Sequence, residues 1–198
     1  MKLFITPITA YDKKNPRDKK VAQNQAGLRL MSRAFLGLTD EEKEIAHDFF
    51  RKPYLKNRRD IHFNLSHAEG FALLGVHNRP IGVDIEKIRP VSTGIAFRFL
   101  TEEDREFLSK TEEDEKIWLS AFFRLWTAKE SYGKAIGKGL RLPLSMTKID
   151  WRANRICDRD EEYGTFSFTH YLDLDGYVIC ICAKEGLPPG TITFVEEK

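Results

Sequence analysis

The feature that most constrains this chain is one long run of helical periodicity. It opens near Thr111 and is stopped by Gly137-Lys-Gly139 and Pro143. Ile117, Phe122, Leu125 and Ala128 supply apolar positions, and the last turns read Trp126-Thr-Ala-Lys-Glu-Ser-Tyr-Gly-Lys134. In a helix Trp126, Glu130 and Lys134 stand at i, i+4 and i+8 and share one stripe. Gly133 and Gly137 lie beside that stripe and leave room for another backbone or a ligand. A Glu and a Lys beside a Trp, with no large side chain over them, are placed to meet something. The same pair also reads as an ordinary solvent-facing contact worth about 0.2–0.5 kcal/mol. The rest of the chain has to decide.

Residues 3–8 form a short apolar run that predicts a first strand. Residues 12–20 are polar and carry Pro16, so they read as a loop with a basic end. From 21 to 38, Ala22, Ala26, Leu30, Ala34 and Leu38 recur at helical spacing and predict a helix. Thr39-Asp-Glu-Glu42 has the form of a second cap and predicts another short helix. Pro53 biases Lys52 away from helix, toward an extended connector. Ile61-His-Phe-Asn-Leu65 alternates as a strand does; residues 66–70 turn the chain and 71–76 return it. Ile81-Gly-Val-Asp-Ile-Glu86 alternates cleanly, with Ile81, Val83 and Ile85 on one face and Gly82, Asp84 and Glu86 on the other. Thr101-Glu-Glu-Asp104 has capping-box form and predicts a short helix through Leu108, and Thr111-Glu-Glu-Asp114 opens the long one. Strands are predicted at 146–151, 165–171, 177–182 and 191–195, with Asp175-Gly176 as a hairpin turn. This order is mixed α+β, with a helix and strands in each half.

At 198 residues the chain suits one sizeable domain or two intimately packed halves. With 41% hydrophobic and 31% charged residues, wholesale disorder is not expected. A net charge of +2 lacks the basic footprint that nucleic acid demands, so no nucleic-acid partner is expected. A local basic site for a phosphorylated ligand remains open. No apolar run reaches the roughly 18 residues of a membrane span, and the N-terminus lacks the apolar core of a signal peptide. Cys157, Cys180 and Cys182 are odd in number and without metal-type spacing. Cys180 and Cys182 would share one strand face and read as packed thiols, and a reducing cytoplasm fits the chain.

Asp84 and Glu86 project from one strand face beside Gly82 and could hold a hard cation. Glu130 supplies a third oxygen donor and Lys134 a positive charge one turn further on. Carboxylates with substrate phosphates are the usual environment of Mg²⁺, which would neutralise a diphosphate while Lys134 assists the departing oxygen. An Asp-x-Glu pair also occurs on the solvated face of any half-exposed strand. Ser66 and His67 are neighbours in sequence, which does not suit a nucleophile and its base, and no Gly-x-Ser-x-Gly elbow surrounds them. Hydroxyl and imidazole donors in a tight turn suit phosphate contacts better. His47, His62, His77 and His170 are scattered and read as structural or surface residues.

Ile81-Gly-Val-Asp-Ile-Glu86, followed 42 residues after Asp84 by Trp126-Thr-Ala-Lys-Glu-Ser-Tyr-Gly-Lys134, resembles the paired signature of the 4′-phosphopantetheinyl transferases. The similarity is to the Sfp-like type, in which two related halves lie on one chain. Phe63-Asn-Leu-Ser-His67 and Gly137-Lys-Gly-Leu-Arg-Leu-Pro143 resemble two further motifs of that family. Four ordered motifs thus span residues 52–143. The resemblance implies that coenzyme A donates its phosphopantetheine arm to a serine hydroxyl of an apo carrier protein, leaving adenosine 3′,5′-bisphosphate. It implies Asp84, Glu86 and Glu130 as Mg²⁺ ligands, Glu130 also as the base for the incoming serine, and Lys134 as the residue that stabilises the diphosphate and its leaving group. Ser66 and His67 match phosphate contacts, Lys52 and Pro53 match the adenine and ribose side, and Lys129 precedes the catalytic Glu as in the family's coenzyme A site.

The fold implied is two α+β halves related by a pseudo-twofold, residues 1–88 and 89–198, with coenzyme A in the cleft between them and a monomer sufficing. Two departures stand out. Arg51-Lys-Pro replaces the family's frequent Gly-Lys-Pro, and the part before Val21 is short, so Arg17, Lys19, Lys20 and Arg29 become the candidates for the 3′-phosphate. Two other readings use the same residues. One is a metal-dependent phosphodiesterase or nuclease with water as nucleophile. The other is a degenerate module that binds coenzyme A or a carrier protein without turnover.

Overall fold

The computed structural model describes residues 1–9, 11–12, 14–92, 94, 99–111, 114–159, 162–171, 174–185 and 192–196. Two antiparallel hairpins organise it. In the first, β4 (His62–His67) returns as β5 (Phe71–His77), and β5 pairs in turn with β1 (Lys2–Pro7). In the second, β9 (Phe166–Tyr171) returns as β10 (Tyr177–Ala183), which pairs along its length with β6 (Ile81–Lys87). Each unit inserts a helix after its first strand: α1 (Pro16–Ala34) follows β1, and α3 (Glu115–Ala135) follows β6 with α2 (Glu102–Ser109) between. The strand orders β1-β5-β4 and β6-β10-β9 therefore repeat one topology. The first sheet gains β11 (Thr193–Phe194) beside β1, and the second gains β8 (Arg155–Asp158) and β7 (Thr147–Asp150) beyond β9. The change of sheet falls between β5 and β6.

Side-chain alternation stacks these parts as helix, sheet, sheet, helix. Leu3, Ile5 and Leu73 of the first sheet pack against Ile81, Val83, Ile85, Ile179 and Ile181 of the second. On the outer face of the first sheet, Ala22, Ala26 and Leu30 of α1 cover Phe4, Phe63, Ala72 and Leu74. On the outer face of the second, Ala128, Tyr132 and Ala135 of α3 cover Phe166, Phe168, Cys180 and Cys182. Each fully buried Leu or Ile contributes about 1.5–3 kcal/mol relative to exposure. Cys180 and Cys182 are free, buried thiols, as the sequence predicts. Among the described residues no helix is long and apolar enough to cross a membrane.

Several boundaries differ from the sequence reading. The helix expected from residue 21 begins at Pro16, because Asn15 caps it by accepting from the Arg17 N–H and Pro16 occupies the first helical position. Lys19 and Lys20 are therefore helical rather than in a loop. Thr39 and Glu42 do exchange capping bonds, but only a turn follows. The chain instead enters β2 (Ile45–His47), which pairs with β3 (Pro53–Leu55), so the expected connector is a short strand. The capping box at Thr101 and Asp104 is formed as expected. The long helix is capped by Asp114; Glu112 and Glu113, in the predicted opening, lie outside the described residues, as does Thr191 of the last predicted strand.

Candidate active site

Where α3 crosses β6 the two backbones touch. A Cβ placed on Gly82 would lie 1.9 Å from the Ser131 carbonyl oxygen and 2.4 Å from the Ala135 nitrogen. Glycine is required there, and the contact brings the last turns of α3 over the polar face of β6. From the other side β4 reaches the same strand through side chains. Asn64 Oδ1 accepts from the Val83 N–H at 2.8 Å and Ser66 Oγ from the Ile85 N–H at 3.4 Å, so two side chains replace the missing neighbouring strand.

In this seam Lys134 Nζ donates to Asp84 Oδ1 at 2.6 Å, to Ser66 Oγ at 2.9 Å and to the Val83 carbonyl at 3.3 Å. Ser66 Oγ in turn donates to Asp84 Oδ1 at 3.0 Å. Asp84, Ser66 and Glu130 are all buried. Glu130 is held up to about 7 by its burial first and then by repulsion from Asp84 and, more weakly, Glu86, with Lys134 opposing. Glu86 lies at the edge, paired with Arg89 at 2.9 Å. Trp126 shares the helix stripe but packs edge-on against Phe99 in an aromatic cluster with Phe122.

Among the described residues no three His, Cys, Asp or Glu side chains converge as a ready-made metal site. Two oxygens nevertheless fit a hard cation: Asp84 Oδ2 and Glu130 Oε1 are buried with no hydrogen-bond partner among the described residues. A buried carboxylate oxygen without a donor is costly, and a divalent cation is the group that satisfies two of them at once.

His67 lies at the rim of the seam. Gln23 Nε2 donates to its Nδ1 at 3.1 Å, which leaves the proton of the neutral ring on Nε2. Partial burial lowers its pKa, and the positive charges of Lys134 and Lys19 add to that effect. Lys19 thus acts on the site electrostatically. Lys20 and Arg17 are exposed on α1. Arg29 turns instead to β1, donating to Thr6 Oγ1 at 3.1 Å and to the Pro7 carbonyl at 3.4 Å. Pro53 lines a cavity of about 230 Å³ with Tyr54, Arg59, His62 and Phe63. Lys52 borders the same cavity, but its ammonium points inward, to the carbonyls of Ala135 at 2.8 Å and Ile81 at 3.1 Å.

Lys129 does not join this group. It is completely buried and pairs with Asp104, also donating to the Leu144 carbonyl at 2.9 Å. One residue before Glu130 means about 100° around the helix, so Lys129 faces α2 while Glu130 faces β6.

A sequence model of the 4′-phosphopantetheinyl transferase superfamily matches residues 80–182, the stretch from the start of β6 to β10 that carries Asp84, Glu86, Glu130 and Lys134. The chain belongs to the 4′-phosphopantetheinyl transferase superfamily. It is similar to the 4′-phosphopantetheinyl transferase ffp of Bacillus subtilis, with 34% identity over 149 residues covering 74% of this chain and 65% of that one. Sfp of Bacillus subtilis strain 168 gives the same identity and coverage. The enzyme gsp of Aneurinibacillus migulanus is 36% identical over 115 residues, 58% of this chain and 47% of its own. The chain thus spans between about half and two thirds of the length of these curated relatives.

In this superfamily member, three participants escape a reading of local sequence. Asn64 supplies the acceptor for β6, Gln23 orients His67, and Asp104 holds Lys129. Asn64 lies inside the motif Phe63-Asn-Leu-Ser-His67, as a polar residue on a buried strand face. Asp104 is legible in sequence only as part of the capping box, and Gln23 carries no signal.

Proposed function

We propose that this chain transfers the 4′-phosphopantetheine arm of coenzyme A to a serine hydroxyl of an apo carrier protein, releasing adenosine 3′,5′-bisphosphate. The observation that carries this reading is the Asp84–Ser66–Lys134 cluster beside Glu130, with Asp84 and Ser66 buried and Asp84 Oδ2 and Glu130 Oε1 unpartnered among the described residues, in a chain of this superfamily. Asp84 and Glu130, with Glu86 at the edge, would hold Mg²⁺, whose charge neutralises the diphosphate. The two topological units make the two halves, related by a pseudo-twofold, and one chain carries the whole site as a monomer.

In the transfer the serine oxygen forms a bond to the phosphorus next to the pantetheine, and the bond from that phosphorus to the bridging oxygen breaks. Glu130, half ionised near pH 7 and fully so above it, accepts the serine proton in its ionised form. Lys134 presents its ammonium to the diphosphate and stabilises the charge left on the bisphosphate. Asp84 and Ser66 fix where that ammonium sits. His67, with Lys19 nearby, offers a donor to phosphate at the rim, and the cavity at Pro53 takes the nucleotide side. Such chemistry depends on positioning and charge neutralisation, which these residues supply.

The test is the intact mass of an apo carrier protein after incubation with this chain, coenzyme A and Mg²⁺. The expected result is a gain of one phosphopantetheine arm, absent with EDTA, with the carrier serine replaced by alanine, or with Glu130→Ala. No gain across fatty-acid, polyketide and peptide carriers would overturn the reading.

A further inference from the structure

The resemblance makes Lys52 a ligand contact, yet its side chain is spent on the protein itself. Its Nζ donates to two main-chain carbonyls, Ile81 at the start of β6 and Ala135 in the last turn of α3. The Ala135 carbonyl belongs to the helix end, where no residue ahead in the helix offers an amide. These two carbonyls flank the place where α3 lies directly on Gly82. Lys134 is the residue before Ala135, and Asp84 is the next residue after Gly82 on the same strand face, so the contact lies beside the ion pair on both elements. The base of Lys52 is itself fixed: its N–H donates to Asp48 Oδ1 at 2.8 Å and its carbonyl accepts from the Asp48 N–H at 3.0 Å.

We propose that Lys52 is a positioning residue: by bridging the Ile81 and Ala135 carbonyls it locks the final turn of α3 onto β6 and so holds Lys134 opposite Asp84. An ammonium suits this place because it brings three donors and no acceptor, and a positive charge at a helix C-terminus is favoured by the exposed carbonyl dipoles. The bridge also spans both topological units, joining the β2–β3 hairpin of the first to the helix and strand of the second. The kinetic consequence rests on the transferase reading; the structural one does not.

Amide hydrogen exchange and steady-state kinetics test it together, on the parent, Lys52→Met and Lys52→Arg. In Lys52→Met, exchange at Ile136 and Gly137, whose N–H groups donate to the Tyr132 and Lys134 carbonyls, is expected to rise at least about tenfold. Amides in the middle of α3 keep their rates, and Lys52→Arg, which retains donors, recovers most of the protection. In the transfer assay Lys52→Met is expected to lower kcat about tenfold or more while the KM for coenzyme A changes by less than about threefold. A raised KM with unchanged exchange would make Lys52 a direct ligand contact and overturn the proposal, as would equal exchange in all three proteins. If the parent transfers nothing to any carrier, the transferase reading falls, and the exchange data alone still decide the role of Lys52.

Discussion

Replacing Glu130 by glutamine should make the protein more stable at neutral pH, and the structure gives the size. The folded state holds this carboxyl at about 7 against 4.5 for a free glutamate, chiefly because it is buried and next to Asp84. Between those values the folded protein keeps a proton that the unfolded chain has released, so stability falls as pH rises through that window and the loss is complete above about 7. A shift of that size corresponds to about 3 kcal/mol. Glutamine has the same shape and no charge, so Glu130→Gln should lack this loss. Urea denaturation of parent and variant at half-unit steps from about pH 4.5 to 8 measures it directly. The variant is expected to gain on the parent steadily, reaching about 3 kcal/mol at the alkaline end. A stability difference that stayed constant within about 0.5 kcal/mol across the range would refute the burial and repulsion assigned to Glu130.

Substitutions at three other places probe the frame. Gly82→Ala puts a methyl carbon 1.9 Å from the Ser131 carbonyl oxygen, a backbone atom that cannot move without lifting α3; a loss of more than about 3 kcal/mol or failure to fold is expected, read by the urea midpoint. Lys129→Met leaves the Asp104 carboxylate buried without its counter-charge and should cost about 3–5 kcal/mol, while Lys129→Met with Asp104→Leu should recover only part of it, since an apolar pair avoids both desolvation penalties but gives up the acceptor of the Thr101 N–H in the capping box. Arg51 occupies the left-handed region at φ 68, where a side chain costs about 1–2 kcal/mol, so Arg51→Gly should raise thermal stability by about 0.5–1 kcal/mol after the entropy that glycine adds to the unfolded chain.

The helical stripe of Glu130 and Lys134 and the alternation that puts Asp84 beside Gly82 are legible in sequence, because both follow from fixed periodicities. The conformation at Arg51 also explains, in physical terms, why glycine suits that position. The start of α1 was written in Asn15-Pro16, a cap followed by the residue best fitted to the first helical position, but the lysines around it read as a loop. Thr39 and Glu42 show the opposite failure: their capping bonds form, and tertiary pairing of β2 with β3 then claims the chain. The direction of Lys129 follows from helix geometry, whereas its partner Asp104 does not, being 25 residues away on another helix. Nothing local foretells that Lys52 turns its charge toward residues 81 and 135. Its neighbours in space are set only when the two sheets close on one another.

The charge balance of the seam leads to a last expectation. Near neutral pH, with Glu130 half protonated, Asp84 and Lys134 nearly cancel, and the unpartnered oxygens of Asp84 and Glu130 are the groups left to meet a cation. A divalent ion held by Glu130 would bind its ionised form, so on the proposed reading binding releases the proton whenever the pH lies below about 7. Stabilisation by millimolar Mg²⁺, read as a rise in Tm, should therefore be small at acid pH, grow as pH passes through about 7 and level off above it, with apparent affinity rising by up to about tenfold per pH unit below that point. Glu130→Gln removes both the proton and one ligand oxygen's charge, so its Mg²⁺ response should be weak and flat with pH. A response equal in parent and variant would place the cation elsewhere, and one equally strong at pH 5 and pH 8 would separate it from Glu130 altogether.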